Sequence, residues 1–548
     1  MPVARAGWWL FCLTIAVCAA SALAAQTSPP GSESRYRIAG MVVSKTDGRF
    51  LARARVSIGN VKNQKEVFSV VTSDDGKFEF TGLAAGKYFL QGDKRGYLPG
   101  SYDQHEQYST AIVTGAGIDT ENLILRLPPA AYITGKVLDE SGDPVRRATV
   151  NLYQINHNEG VGRIIGVRAV TTDDLGAYEL GPQTPGTYFV SASAMPWYAM
   201  HGSSSEGSGN APVGHVDSAL DVAYALTYYG DVTDADSATP IQLRGGDRLQ
   251  ADIHLNPVQA LHLYFHAAND PQRGVPFPQL VRSGLGGDEE MVQSYVQPVS
   301  PGLWEITGIP AGRYSVRIPG TDGNRSEIKQ VDITNDRQEL DTSGAEALGV
   351  VNISARVPGE NTLPPQLAVG LRLPHANIKA WQMFDAKGEA HLQQVASGRH
   401  EVVVWNFGKA YSIAQISSSD AEISGHTINV PQGGTVSASL TLITGMGNVT
   451  GFAKLAGRAV AGAMVVLVPK DPTLNPDLFR RDQTDLDGSF QLNSVVPGAY
   501  TIMAIQDGWD LDWSEPASIA PYMKQGQTIE IPNQRSATLP QVLEVQTK

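Results

Sequence analysis

Cysteine is nearly missing from this chain: there are two in 548 residues, Cys12 and Cys18, and both fall within the first 25. That stretch has a positive start at Arg5, an apolar run from Trp8 to Val17, and a small-x-small site at Ala22-Leu23-Ala24, so residues 1–25 read as a signal peptide. The bulky Val17 before Cys18 argues against lipidation. The expected mature protein has no disulfide, no thiolate nucleophile and no cysteine metal site. Positive charge is also scarce, with 42 Lys and Arg against 55 Asp and Glu. Removing Arg5 with the signal peptide takes the formal charge from −13 to −14, which argues against nucleic acid or an anionic membrane as partner. No later apolar run approaches the roughly 20 residues of a membrane-spanning helix, so no membrane span is expected in the mature chain. Helical periodicity is almost absent.

Turns and short alternating strands fill the space instead. In Asp74-Asp75-Gly76-Lys77-Phe78-Glu79-Phe80, a turn signal leads into an alternating strand, Leu83 takes the next corner, and Gly86 precedes Tyr88 and Leu90. The frame recurs with turn glycines at Gly176, Gly302, Gly388 and Gly488, each followed ten residues later by a second glycine, at Gly186, Gly312, Gly398 and Gly498. Two residues further stand Tyr88, Tyr188, Tyr314, His400 and Tyr500. Four residues past the turn the side chain is always apolar: Phe80, Leu180, Ile306, Leu392 and Leu492. A frame kept five times without insertion, 86 to 126 residues apart, marks one domain-sized unit used repeatedly.

These signals predict an all-β chain, a tandem array of about five antiparallel β-sandwiches. After the signal peptide and a Pro/Gly/Ser linker (26–35), module one spans 36–128, module two 129–256, module three 257–344, module four 345–445 and module five 446–548. Module three has a loose, Gly-rich first half near Ser283 to Gly287, and module four is bent by Pro358, Pro364, Pro365 and Pro374. In module two, residues 201–220 are rich in Gly and Ser, and Asp217 to Tyr228 is a candidate short helix.

Two segments of module two carry a resemblance. One is Gly135-Lys136-Val137, Asp143-Pro144-Val145 and Ala148-Thr149-Val150; the other is Thr172-Asp173-Asp174, Gly176-Ala177-Tyr178 and Pro185-Gly186-Thr187-Tyr188. The pattern resembles the carboxypeptidase regulatory-like domain family. Modules one, two and five follow it well, module three partly, and module four only through its glycine frame. The resemblance implies a transthyretin-like (prealbumin-like), seven-stranded sandwich, grouped with starch-binding-like and collagen-adhesin B-type domains. These residues are turns and core, so they say little about function.

A zinc carboxypeptidase would need His-x-x-Glu, and none of the 11 histidines has Glu three residues later. There is no Gly-x-Ser-x-Gly and no phosphate loop. No catalytic residue, metal or cofactor is predicted. Asp485-Leu486-Asp487-Gly488 has the look of a calcium loop's start, but it lacks the later ligands and matches the hairpin turns of the other modules. Lys136 invites an internal isopeptide bond, yet its place between Ile133 and Val137 points it outward. Asn324, Asn352 and Asn448 fit glycosylation sequons, which would matter only in a eukaryotic secretory pathway.

Function is expected in the loops after the late aromatic residue of each module. Those loops hold Tyr97, Tyr102 and Tyr108 in module one, and Trp197, Tyr198, Tyr224, Tyr228 and Tyr229 in module two. Module four has Trp405, Phe407 and Tyr411; module five has Trp509, Trp513 and Tyr522. In module five, Trp509 and Trp513 with Asp510 and Asp512 form the candidate ligand-binding set. In an extended segment the two indoles would face the same way, about 13 Å apart, as platforms for sugar rings. The expected protein is exported, secreted or held in the periplasm or outer envelope of a bacterium, and non-catalytic, with a glycan as ligand. The alternative is a structural or protein-interaction module of the envelope, and the third class is an enzyme with no recognisable motif; most of the tyrosines are expected to cover the ends of each sandwich or fill contacts between modules.

Overall fold

A computed structural model describes residues 35–548 except 159, 202–216, 268–276, 288, 320–325, 342–344, 361, 374–377, 407–410, 444–446, 474 and 533–535. The expected signal peptide with both cysteines, the linker up to residue 34, Asn324, Pro374, Phe407 and the 320–325 loop of module three lie outside the described residues.

The glycine frame builds the same hairpin five times. Gly76, Gly176, Gly302, Gly388 and Gly488 all have φ between 68° and 82°, the left-handed region that glycine enters without strain. Each turn carbonyl then accepts an N–H from the module's first strand: Val42, Val137, Ala267, Ala355 and Ala453 donate in turn. Six residues past the turn the chain is again left-handed, at Gly82, Gly308, Gln394 and Ser494. A register shift in the first strand accompanies it, as between Tyr36 and Ile38 or between Gly447 and Val449.

The late aromatic residue closes the next corner. The hydroxyls of Tyr88, Tyr188, Tyr314 and Tyr500 donate to the carbonyls of Ala84, Thr184, Pro310 and Val496, four residues upstream. In module four His400 does this with its ring, Nε2 to Ala396 O at 2.8 Å. The substitution works because a neutral imidazole also carries one N–H, and burial holds His400 below the usual histidine range.

Every module, the degenerate third and fourth included, shows one topology. The first strand lies between the strand after the turn and the last strand: Tyr36–Ser44 pairs antiparallel with Lys77–Leu83 and parallel with Leu123–Leu127. The equivalents are Ala131–Leu138, Leu261–His266, Gly349–Arg356 and Gly447–Leu455. The parallel neighbour comes very close. A Cβ on Gly40 would sit 2.1 Å from Leu123 O, and one on Gly135 would sit 2.2 Å from Ala251 O, so both strands need glycine there.

The facing sheet centres on a second strand, Arg55–Asn60 in module one, held between Asn63–Val71 and Gly86–Asp93. Its counterparts are Thr149–Asn156, Gln279–Ser283, Ala368–Arg372 and Met464–Pro469. Alternating side chains of the two sheets meet in a separate core in each module. Module five also joins its two sheets, because Leu543–Thr547 pairs with both Gly447–Leu455 and Gly498–Gln506.

Three details depart from expectation. The candidate helix at Asp217 to Tyr228 is instead two short strands, Val222–Tyr224 and Thr227–Tyr228, because both find partners, at Pro257–Gln259 and Gly186–Ser193. The helix that does form, Pro516–Met523, lies in module five and starts on a proline, which suits a first helical turn. Glu346–Ala347, expected to open module four, adds to the module three sheet beside Glu327–Ile333. Lys136 is exposed on its strand, as its position predicted. Leu492 is buried in the core of module five. Leu492→Ala should therefore cost about 2–5 kcal/mol in denaturant unfolding, from lost contacts plus the cavity left behind.

Candidate functional site

The segment expected to bind ligand is not extended. Asp507 is left-handed (φ 55°), Gly508–Asp510 forms one turn of 3-10 helix, and Pro516–Met523 follows. This compact corner lies on the outer face of the module five sheet, where Trp513 and Ile519 share a second core with Val466, Phe479 and Met503. Trp509, Leu511 and Tyr522 pack against it. The two indoles therefore do not stand side by side as sugar platforms.

Their polar groups are engaged as well. Trp509 Nε1 donates to Gly462 O at 3.0 Å, and Trp513 Nε1 donates to His157 O of module two at 3.2 Å. Asp512 Oδ1 accepts the Gly162 N–H at 2.8 Å and lies 3.0 Å from His157 Nδ1. Asp510 pairs with Lys548, a contact that holds its carboxyl below the usual range. Of the four predicted site residues, Asp512 and Trp513 join module five to module two, while Trp509 and Asp510 bond within module five.

Module one completes the joint. The His105 ring stacks on Trp509, with centroids 4.9 Å apart and planes within 4°, and Tyr108 tilts against the same indole at 5.7 Å. Beneath them lies Arg481, whose side chain is 1% exposed. Its guanidinium carbon stands 4.6 Å from the Trp513 centroid, 5.2 Å from Tyr108 and 5.4 Å from Trp509, within cation–π range of all three. Glu106 of module one pairs with it through both carboxylate oxygens.

Around this pair, hydrogen bonds join the two modules. Gln483 Nε2 donates to Asp103 O at 2.6 Å and to Thr110 Oγ1 at 2.8 Å. The Asp485 carboxylate, pushed up by burial, accepts the Ala111 N–H at 2.8 Å and pairs with Lys87. Leu486 donates its N–H to Ala111 O and packs on the module one core. The Asp485-Leu486-Asp487-Gly488 turn thus serves as a plug between modules. The first and last modules are clamped, and the chain is closed instead of strung out.

A second buried polar cluster joins modules two and three, and no sequence motif signalled it. His262 Nδ1 lies 2.6 Å from Glu305 Oε1, and its Nε2 lies 2.8 Å from Asp221 Oδ2. Both acceptors are carboxylates, so both ring nitrogens donate and the imidazole is charged. Burial opposes that charge, but the two carboxylates outweigh it and raise the pKa to about 9. His201 adds a contact to Asp221 Oδ1 at 2.8 Å, and Asp336 accepts the His262 backbone N–H at 3.1 Å. Among the described residues no group of three or more His, Cys, Asp or Glu is placed to hold a metal ion.

Most other loop aromatics also have structural places. Tyr97 and Tyr102 pack on the module one core, Tyr224 and Tyr229 on that of module two, and Tyr411 lies in that of module four. Trp197 differs, being 87% exposed. Its neighbour Tyr198 is tied down through Glu140, which also accepts from Tyr224 at 3.0 Å.

Residues 37–117 match the model of the carboxypeptidase regulatory-like domain, in agreement with the resemblance read from the sequence. No curated protein matches the chain. Among solved structures, the Bacillus anthracis TIE protein is similar at 13% identity and a TM-score of 0.19, over 76% of each chain. A streptococcal ancillary pilin is similar at 10% identity and a TM-score of 0.20, over 56% of this chain and 98% of its own. GBS52, the minor pilin of Streptococcus agalactiae, gives 12% and 0.20, over 41% and 96%. At such TM-scores the likeness reaches neither the arrangement of the modules nor a function.

Two outcomes follow. Glu106→Gln leaves Arg481 buried without its anion and should lower stability by about 3–5 kcal/mol, with most of it recovered in the Glu106→Gln/Arg481→Met double variant. For His262 the folded pKa lies above the unfolded one of about 6.5. Its stabilisation is therefore full below about 6.5 and lost as pH rises through about 9. Melting curves between these limits should fall more steeply with pH for the native protein than for His262→Gln.

Proposed function

We propose that this chain is an exported, non-catalytic structural and protein-interaction protein of the cell envelope. One observation carries the reading: the aromatic loop best suited to a small ligand is taken up by contacts among modules one, two and five. A frame with these loop aromatics turned into its joints presents strand edges and flat sheet faces, the surfaces by which proteins meet. Among the described residues no helix is long and apolar enough to cross a membrane.

One observation favours a second reading, glycan binding. Trp197 offers an open indole face beside an anchored Tyr198. The test is native electrophoresis of the mature chain through gels cast with cell-wall polysaccharides, beside photo-crosslinking from surface positions in intact cells. The structural reading expects unretarded migration and protein adducts. Retardation that disappears in Trp197→Ala would replace it with the glycan reading.

A further inference from the structure

The strand that borders the second sheet has the same place in every module, and a neighbouring module touches it in three. In module two, module three meets the start of Arg163–Thr171: Gly286 lies so close that a Cβ there would stand 2.2 Å from Ile164 O, and Leu285 is buried in the same contact. In module three, Glu289–Met291 is held from both sides, Glu290 bonding Tyr153 of module two and Glu289 standing 3.5 Å from Lys379 of module four. In module five, Arg480–Gln483 is covered by the Asp103 to Ala111 loop of module one. In these three modules that edge lies at a contact with a neighbouring module.

In module one the corresponding strand, Asn63–Val71, is nine residues long and pairs only with Arg55–Asn60. It is apolar on both faces, with Val67 50%, Phe68 53% and Val71 65% exposed. On the inner side a groove runs between it and Lys77–Leu83, lined by Phe68, Val70, Phe80, Leu83 and Tyr88. The corresponding edge of module four, Ala380–Met383, is only four residues long.

We infer that Asn63–Val71 is a self-association edge, pairing antiparallel with the same strand of a second copy about a two-fold axis at Ser69. The sequence is self-complementary in that register. Val67 falls opposite Val71 of the second copy, Phe68 opposite Val70, and Ser69 opposite Ser69. Lys65 meets Ser73 and Glu66 meets Thr72, so no like charges stand opposite one another. Antiparallel pairing places each matched pair on one face. Val67 and Val71 cover each other on the outer side, and Phe68 receives Val70 over the groove. A symmetric contact of this kind closes at two copies and uses up both edges. The inference stands on module one alone and does not depend on the role proposed for the whole chain.

The test is sedimentation equilibrium of the mature chain with paired substitutions. The native chain should form a concentration-dependent dimer. Val67→Lys and Val71→Lys should each abolish it without lowering the melting temperature, since both positions are exposed. Combining V67K with V71E puts opposite charges across the axis and should restore the dimer. A native chain that stays monomeric overturns the inference, as does a dimer indifferent to the single changes. Failure of the charge pair to rescue also overturns it, because that register is its content. Capture of an unrelated extended peptide by a monomeric chain would assign the edge to another partner.

Discussion

A single guanidinium orders the far ends of this chain. Arg481 sits on the border strand of module five, where a sandwich edge would ordinarily leave such a side chain in water. It is instead enclosed by Trp509 and Trp513 of its own module and by Tyr108 and Glu106 of module one. A charge removed from water requires its counter-ion and its aromatic faces together. Module one must be docked for module five to keep that arrangement, and the same docking brings Trp513 and Asp512 against module two.

The contacts at the other joint obey the same physics. His262 is buried as a cation between two carboxylates drawn from different modules, Asp221 and Glu305. Seams built from charged and hydrogen-bonded groups favour one register over many, because a slipped joint would leave charges unpaired in a dry place. Cysteine-poor sandwiches of this size hold themselves with their own cores. Polar seams then set how they sit against one another.

The sandwich was legible in the sequence because its determinants are local. A turn that needs positive φ shows as glycine, a corner whose carbonyl needs a donor four residues on shows as tyrosine, and strands show as alternation. His400 holds the tyrosine's place in module four and does its work with a ring N–H. The candidate site was legible only as a set of residues. Trp509, Asp512 and Trp513 do meet other modules, while Asp510 pairs with Lys548, but their role depended on a turn at Asp507 and on partners in modules one and two, hundreds of residues away. Nothing in the spacing of His105, Glu106 and Arg481, or of Asp221, His262 and Glu305, announces a cluster, because such contacts arise only after the modules dock.

Closure of module one onto module five is the claim on which the rest hangs. Zero-length carbodiimide crosslinking of the dilute chain tests it directly, because Lys87 Nζ rests on the Asp485 carboxylate. Peptide mapping should recover a Lys87–Asp485 amide within single chains, beside the Lys329–Asp341 amide from inside module three, where the groups stand 3.2 Å apart. Recovery of the Lys329–Asp341 product without any Lys87–Asp485 product would show that the ends of the chain stand apart and would contradict the account.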